Sequence, residues 1–223
     1  SNAREYTFKL NTGEEFQQIA TDGGLLNEPQ SMKEITLTPG ERAEIIVDFS
    51  KNDGKSEIAL VSKEDAILLP FKIDEERTNS VEISNTLNDY AVTEEEKNLP
   101  VTKKLELYGM GADVRINGKQ FDMNRIDFTQ KQSETEIWEI YNKPDAMGGM
   151  THPFHIHGTQ FKIVSIDGKE PPVSLQGWKD TVAIEAGQTV KLAVKFNNKG
   201  IYMFHCHVLE HEENGMMGQV EVF

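Results

Sequence analysis

The segment TVKLAVKF, residues 189–196, alternates without interruption: Val190, Leu192, Val194 and Phe196 fall on one side, Thr189, Lys191, Ala193 and Lys195 on the other. Successive side chains of an extended chain point to opposite faces, so this period of two describes a strand with one face in a core and one in water. Working outward, apolar and β-branched stretches of strand length recur at residues 105–108, 135–141, 161–166, 181–184, 201–205 and 218–223. Toward the N-terminus they recur at 6–10, 16–20, 34–37, 43–49 and 66–73, punctuated by the turn signals Asp22-Gly23-Gly24 and Pro39-Gly40. Many short strands without a long amphipathic helix predict an all-β sandwich.

Residues 85–100 are polar, carry Glu94-Glu95-Glu96 and end at Pro100, which is linker chemistry. The expected division is therefore residues 1–96 and residues 97–223. The first unit is short for a complete sandwich, and we expect its opening strands to lie upstream. Sheet edges left open in this way would suit pairing with another copy of the chain. Solenoid repeats and low-complexity tracts are absent.

With 37 acidic against 23 basic residues the formal net charge is -14, which excludes a long positive field for a phosphate backbone and so excludes nucleic acid as an expected partner. No apolar run reaches membrane-spanning length. Ser1-Asn2-Ala3 reads as a cloning remnant, so the lack of a leader says nothing about where the parent protein resides.

Chemistry concentrates in two places. All six histidines lie in HPFHIHG (His152, His155, His157) and in HCHVLEH (His205, His207, His211), the second enclosing the single cysteine, Cys206. One cysteine cannot form an intramolecular disulfide; it is a buried small hydrophobe, a reactive thiol or a metal ligand. Imidazoles packed this densely repel when protonated and make sense when they share metal ions. Two histidines, a cysteine and a weak axial methionine, here Met216, form the blue-copper arrangement, whereas zinc sites show paired cysteines or a helical His-x-x-x-His. In an extended His205-Cys206-His207, the cysteine points one way and the histidines the other, so one strand serves two sites. By the same period His155 and His157 share a face, while His152, set off by Pro153, turns elsewhere. The pairing is His152, Cys206, His211 and Met216 for one site, and His155, His157, His205 and His207 for the other.

HPFHIHGTQFKIV (152–164) and HCHVLEHEENGMMG (205–218) resemble the C-terminal cupredoxin domain of multicopper oxidases, which include laccases, bilirubin oxidases and bacterial cuprous oxidases. INGKQFDMNRIDF (116–128) and GWKDTV (177–182) are similar to the same domain of the cuprous-oxidase and spore-coat laccase branch, and ATDGGLLNEP (20–29) and TPGERAEIIVDF (38–49) to the end of the family's middle domain. The resemblance implies a cupredoxin-like Greek-key sandwich, with one complete C-terminal domain behind a partial one. It implies copper as cofactor: His152, Cys206, His211 and Met216 as type 1 ligands, His155 as a type 2 ligand, and His157, His205 and His207 as type 3 ligands. The other four histidines of the family's trinuclear cluster come from an N-terminal cupredoxin domain, which becomes an expected partner together with a small reductant and dioxygen. Extracytoplasmic placement of the parent follows from the family as well.

Glu212 stands where the family places a carboxylate that relays protons to the oxygen cluster; the alternative is a solvated surface glutamate. Met150 matches a methionine that cuprous oxidases use for substrate copper, but Gly148 replaces the aspartate expected beside it, and the methionine-rich insertion of that branch is absent between Tyr108 and Asn117. Met110, Met123, Met147 and Met217 read as core filler, Trp178 as packing and Asp180 as a hydrogen-bond anchor. The leading reading is an oxidoreductase fragment that holds type 1 copper and cannot by itself reduce dioxygen. The alternatives are a blue-copper electron carrier or store, and a scaffold that has lost its metal, against which the retention of every ligand argues.

Overall fold

The computed structural model describes residues 3–50, 57–73 and 82–223; Ser1 and Asn2 of the expected cloning remnant lie outside them. The strand-rich sequence builds four sheets. β1 (Tyr6–Leu10), β4 (Glu34–Leu37), β6 (Ile58–Ser62) and β7 (Ile67–Phe71) form one in the order β4-β1-β6-β7, and β2 (Phe16–Thr21), β3 (Gly24–Met32) and β5 (Glu44–Ile46) form a second in the order β3-β2-β5. Leu10, Phe16 and Ile58 make a small core here, with Met32, Ile35 and Ile45 packed on it. Among the described residues β7 ends its sheet, and it exposes Ile67, Leu68 and Leu69.

The remaining two sheets face each other across the main core. One contains β8 (Val101–Met110), β9 (Asp113–Ile116), β11 (Thr135–Lys143), β13 (Phe161–Ile166) and β15 (Thr189–Lys195) in the order β13-β15-β11-β8-β9. The other contains β10 (Phe128–Gln130), β12 (His152–Ile156), β14 (Thr181–Ile184), β16 (Gly200–Cys206) and β17 (Met217–Val222) in the order β10-β17-β16-β12-β14. Val190, Leu192, Val194 and Phe196 are fully buried, as their alternation demands. Ala193, on the face expected to be wet, is buried too. Trp138, also fully buried, donates its indole N–H to Gln130 Oε1 at 3.1 Å, so its polar atom is satisfied inside the core.

The stretch read as a linker is docked rather than free. Within it α1 (Glu94–Asn98) is opened by a capping box between Thr93 and Glu96. Glu96 also pairs with Lys162 at 3.1 Å, Asn88 donates to Leu25 O at 3.1 Å, and Tyr90 is buried edge-on against Trp178. Strands β3, β6, β9 and β10 were not read from sequence: β3 carries Pro29 and polar residues, and β9 and β10 are short segments of four and three residues.

Leu192 sits at the centre of this core with no exposure. Leu192→Ala is expected to cost about 2–5 kcal/mol through lost burial and the cavity left behind, measurable as a lower urea midpoint with an unchanged m-value.

Candidate metal centre

β12 lies between β14 and β16, and its antiparallel register with β16 sets Phe154 opposite Cys206 and His155 opposite His205. Phe154 and Cys206 therefore share the core-facing side, where both are fully buried, and His155 and His205 share the other.

On the core side, Cys206 Sγ lies 3.6 Å from His211 Nδ1. Two donors about 2.0 and 2.3 Å from one trigonal ion are separated by about 3.7 Å, so the spacing suits a shared metal. His211 reaches inward from α2 (Leu209–Glu213), a one-turn helix that the sequence reading did not anticipate. The return from that helix is tied by backbone bonds: Met216 N–H donates to His211 O at 2.9 Å and Cys206 N–H to Met216 O at 3.0 Å. Met216 is fully buried in the same cluster as Cys206. His152, also buried, sets its ring 5.2 Å from that of His211, centroid to centroid.

The surroundings of His152 argue for a cation. Its Nε2 is 3.1 Å from Gly109 O and its Nδ1 is 3.0 Å from Asn142 Oδ1, two oxygen acceptors. Asn142 cannot turn its amide to help, because its Nδ2 already donates to Met150 O and Ile184 O, each at 2.8 Å. Burial, with the nearby His211, pushes His152 down to about 4, so its ring is neutral and carries one proton for two acceptors. One ring nitrogen is left with a buried lone pair and no donor, the condition of an imidazole that serves as a ligand. Burial pushes the Cys206 thiol up to about 12, and a coordinating cation is what ionises such a thiol at neutral pH. Thiolate, imidazole and thioether together make a soft donor set that fits copper.

The opposite side holds four imidazoles. Ring centroids lie 5.0 Å apart for His155 and His157, 5.0 Å for His157 and His205, 5.3 Å for His155 and His207, and 5.5 Å for His205 and His207. His157 Nε2 and His205 Nε2 approach to 2.9 Å, and donor nitrogens of His155, His157 and His205 lie within 4.8 Å of one another. Burial lowers His205 to about 4 and, with His155 as neighbour, lowers His157, which favours neutral, metal-binding rings. Glu212 Oε2 is 3.5 Å from His205 Nδ1, so this carboxylate borders the cluster rather than open solvent alone. Met150 packs half-buried on the main core.

His155 is oriented from behind. Its Nδ1–H faces Asp180 O at 2.8 Å and Thr181 Oγ1 at 3.0 Å, which leaves Nε2 as the free donor. Burial alone would raise the Asp180 carboxyl, but hydrogen bonds from His155, Arg42 and Thr181 outweigh it and hold it well below the usual range. Asp180 is thus an anchor, as its sequence context suggested. A cleft of 660 Å³ opens beside His155 and His157, with Trp178, Lys162 and Glu96 in its walls.

Sequence reasoning missed Lys179. Its side chain is buried, with Nζ 3.1 Å from Asp22 Oδ2 and 3.4 Å from Glu41 Oε1, both carboxylates buried as well. Only the composition of GWKD beside a histidine strand hinted at it. Lys179→Ala would leave two buried carboxylates without their cation, at an expected cost of about 3–5 kcal/mol. Denaturant melts of the two proteins side by side measure this.

Comparison with known proteins places these features in context. A multicopper oxidase family model matches residues 94–223. A multicopper oxidase of Staphylococcus haemolyticus is 49% identical over 222 residues, covering 100% of this chain and 46% of that protein. A laccase of Bacillus subtilis is 30% identical over 257 residues, covering 100% of this chain and 49% of its own length. The crystal structure of a multi-copper oxidase from Pediococcus acidilactici superposes with a TM-score of 0.91 at 41% identity, covering 99% of this chain and 46% of that one. The chain thus spans about half the length of the curated relatives it matches.

Proposed function

Starting from a chain that belongs to the multicopper oxidase family and has its cupredoxin-like all-β fold, we propose that these residues form the type 1 copper site and half of the trinuclear site of an oxidase. His152, Cys206, His211 and Met216 would hold type 1 copper; His155 would serve type 2 copper, and His157, His205 and His207 type 3 copper. When bound there, copper supplies one-electron chemistry, taking electrons from a phenolic, organic or metal-ion reductant and delivering them to dioxygen, which is reduced to water. The observation that carries the proposal is the position of Cys206. Its sulfur lies 3.6 Å from His211 Nδ1 on one face of β16, while His205 and His207, its peptide neighbours, belong to the four-ring cluster on the other. Residues bonded directly to one another thereby span both centres.

Each neighbouring residue has a part. Asp180 O holds the Nδ1 proton of His155 and presents Nε2 toward the cluster. Glu212, 3.5 Å from His205 Nδ1, would relay protons toward the oxygen-reducing site. Met150, two residues before His152, would contact a cuprous ion if that were the reductant. The missing ligands would come from upstream sequence docking over the cleft beside His157, with residues 1–96 belonging to a middle domain and 97–223 to the copper-binding domain. Contact with a second copy would use the exposed β7 edge, and an extracytoplasmic parent follows the family. Among the described residues, no helix is long and apolar enough to cross a membrane.

Copper titration tests the first part. The chain should bind copper with the intense visible absorption of a copper–thiolate bond, and Cys206→Ser should abolish it while preserving the circular dichroism of the fold. The loaded chain should consume no dioxygen with a phenolic reductant, and steady turnover by this chain alone would refute the half-site. In the full-length protein, Glu212→Gln should lower the rate of dioxygen reduction by about 10²-fold or more with the copper–thiolate absorption unchanged. An unaltered rate would return Glu212 to the role of a surface residue.

A further inference from the structure

The first segment contains no histidine, cysteine or other residue assigned above to copper, yet one of its turns presses against the histidine cluster. At Gly40 the backbone adopts φ +85°, and a Cβ built there would stand 2.6 Å from His207 Cδ2 and 2.7 Å from Cγ. Only glycine permits both the dihedral and the approach. Two residues on, the Arg42 guanidinium grips Asp180 with a two-pronged contact, Nη1 to Oδ1 at 2.9 Å and Nη2 to Oδ2 at 2.6 Å. Asp180 is the residue whose carbonyl fixes the Nδ1 proton of His155.

Hydrogen bonds brace the turn itself. Arg42 Nη1 donates to Gly40 O at 2.9 Å, Arg42 N–H to Asp22 Oδ1 at 2.6 Å, and Glu41 Oε2 accepts from Thr38 Oγ1 at 2.8 Å. One short loop therefore touches the ring of one histidine and, through a planar fork that lysine cannot copy, the carboxylate behind another.

We propose that the turn at residues 39–42 is a positioning element for the second copper cluster, with Gly40 setting the ring of His207 and Arg42 setting His155 through Asp180. The proposal rests on the assignment of these histidines to copper. Its physical content is that ligands from residues 97–223 are held in register by a loop from residues 1–96. Neither Gly40 nor Arg42 is a catalytic residue; both act through histidines.

The test uses the full-length protein loaded with copper, as wild type and as Gly40→Ala, Arg42→Lys and Arg42→Ala, with Lys103→Ala as control. Lys103 pairs with Glu136 at 2.6 Å, so its loss removes a comparable ion pair away from the histidines. Copper content, the electron paramagnetic resonance signal of type 2 copper, the copper–thiolate absorption and the type 1 reduction potential are read together with the melting temperature. The expected result is about 10–100-fold weaker retention of cluster copper in Gly40→Ala and Arg42→Ala, with a shifted type 2 signal and an unchanged type 1 absorption and potential. Arg42→Lys, which keeps the charge and folds, should recover the melting temperature but not the type 2 signal, and Lys103→Ala should keep that signal. If the wild type holds cluster copper and both Gly40→Ala and Arg42→Lys keep its full content and its type 2 signal, the positioning role is overturned. A type 2 shift in Lys103→Ala as large as in Arg42→Lys overturns it too, since general loosening would then be the cause. A wild type that binds copper with no type 2 or type 3 component overturns the copper assignment as well.

Discussion

The antiparallel register between β12 and β16 is the constraint on which everything else depends. It puts Phe154 across from Cys206 and His155 across from His205, so a single pairing of two strands sorts the sulfur into the core and the imidazoles onto the outer face. A slip of one residue would exchange the two faces and destroy both donor sets. The buried apolar residues around the sulfur, including Phe154, Phe204 and Met216, fix that register far more firmly than the histidines could. Packing comes first, and the sorting of sulfur from imidazoles follows from it.

The electrostatics of the two faces differ in kind. Toward the core, burial keeps the Cys206 thiol protonated and the His152 ring neutral with one acceptor too many, an environment that gains from a cation. On the outer face, burial, with neighbouring rings, lowers His157 and His205, and these two reach nitrogen-to-nitrogen contact. Hydrogen bonds behind these rings, from His155 Nδ1–H to Asp180 O and from His205 Nδ1–H to Cys206 O at 3.0 Å, select which nitrogen faces the cluster.

Much of this was legible in the sequence because it rests on period and on rare residue types. Alternation in residues 189–196 identified the core face, and the gathering of all six histidines into two short clusters, one enclosing the single cysteine, pointed to the strands that the fold pairs as β12 and β16. The all-β class and the family followed. Other features were hidden for physical reasons. α2 is a single turn, too short to show a helical period, yet it delivers His211. The polar stretch before Pro100 has linker composition but finds partners in Asn27, Leu25 and Lys162 that are distant in sequence. Lys179 reads as a surface residue until Asp22 and Glu41, more than a hundred positions away, are folded against it.

That buried lysine has a consequence for how such proteins recombine. A seam held by greasy contact tolerates many substitutes, because one apolar face resembles another. A seam in which a cation meets two carboxylates accepts only a counterpart bearing both, since any other choice would strand charge in a dry interior. A first segment carrying both carboxylates therefore fits only a second segment that supplies the lysine.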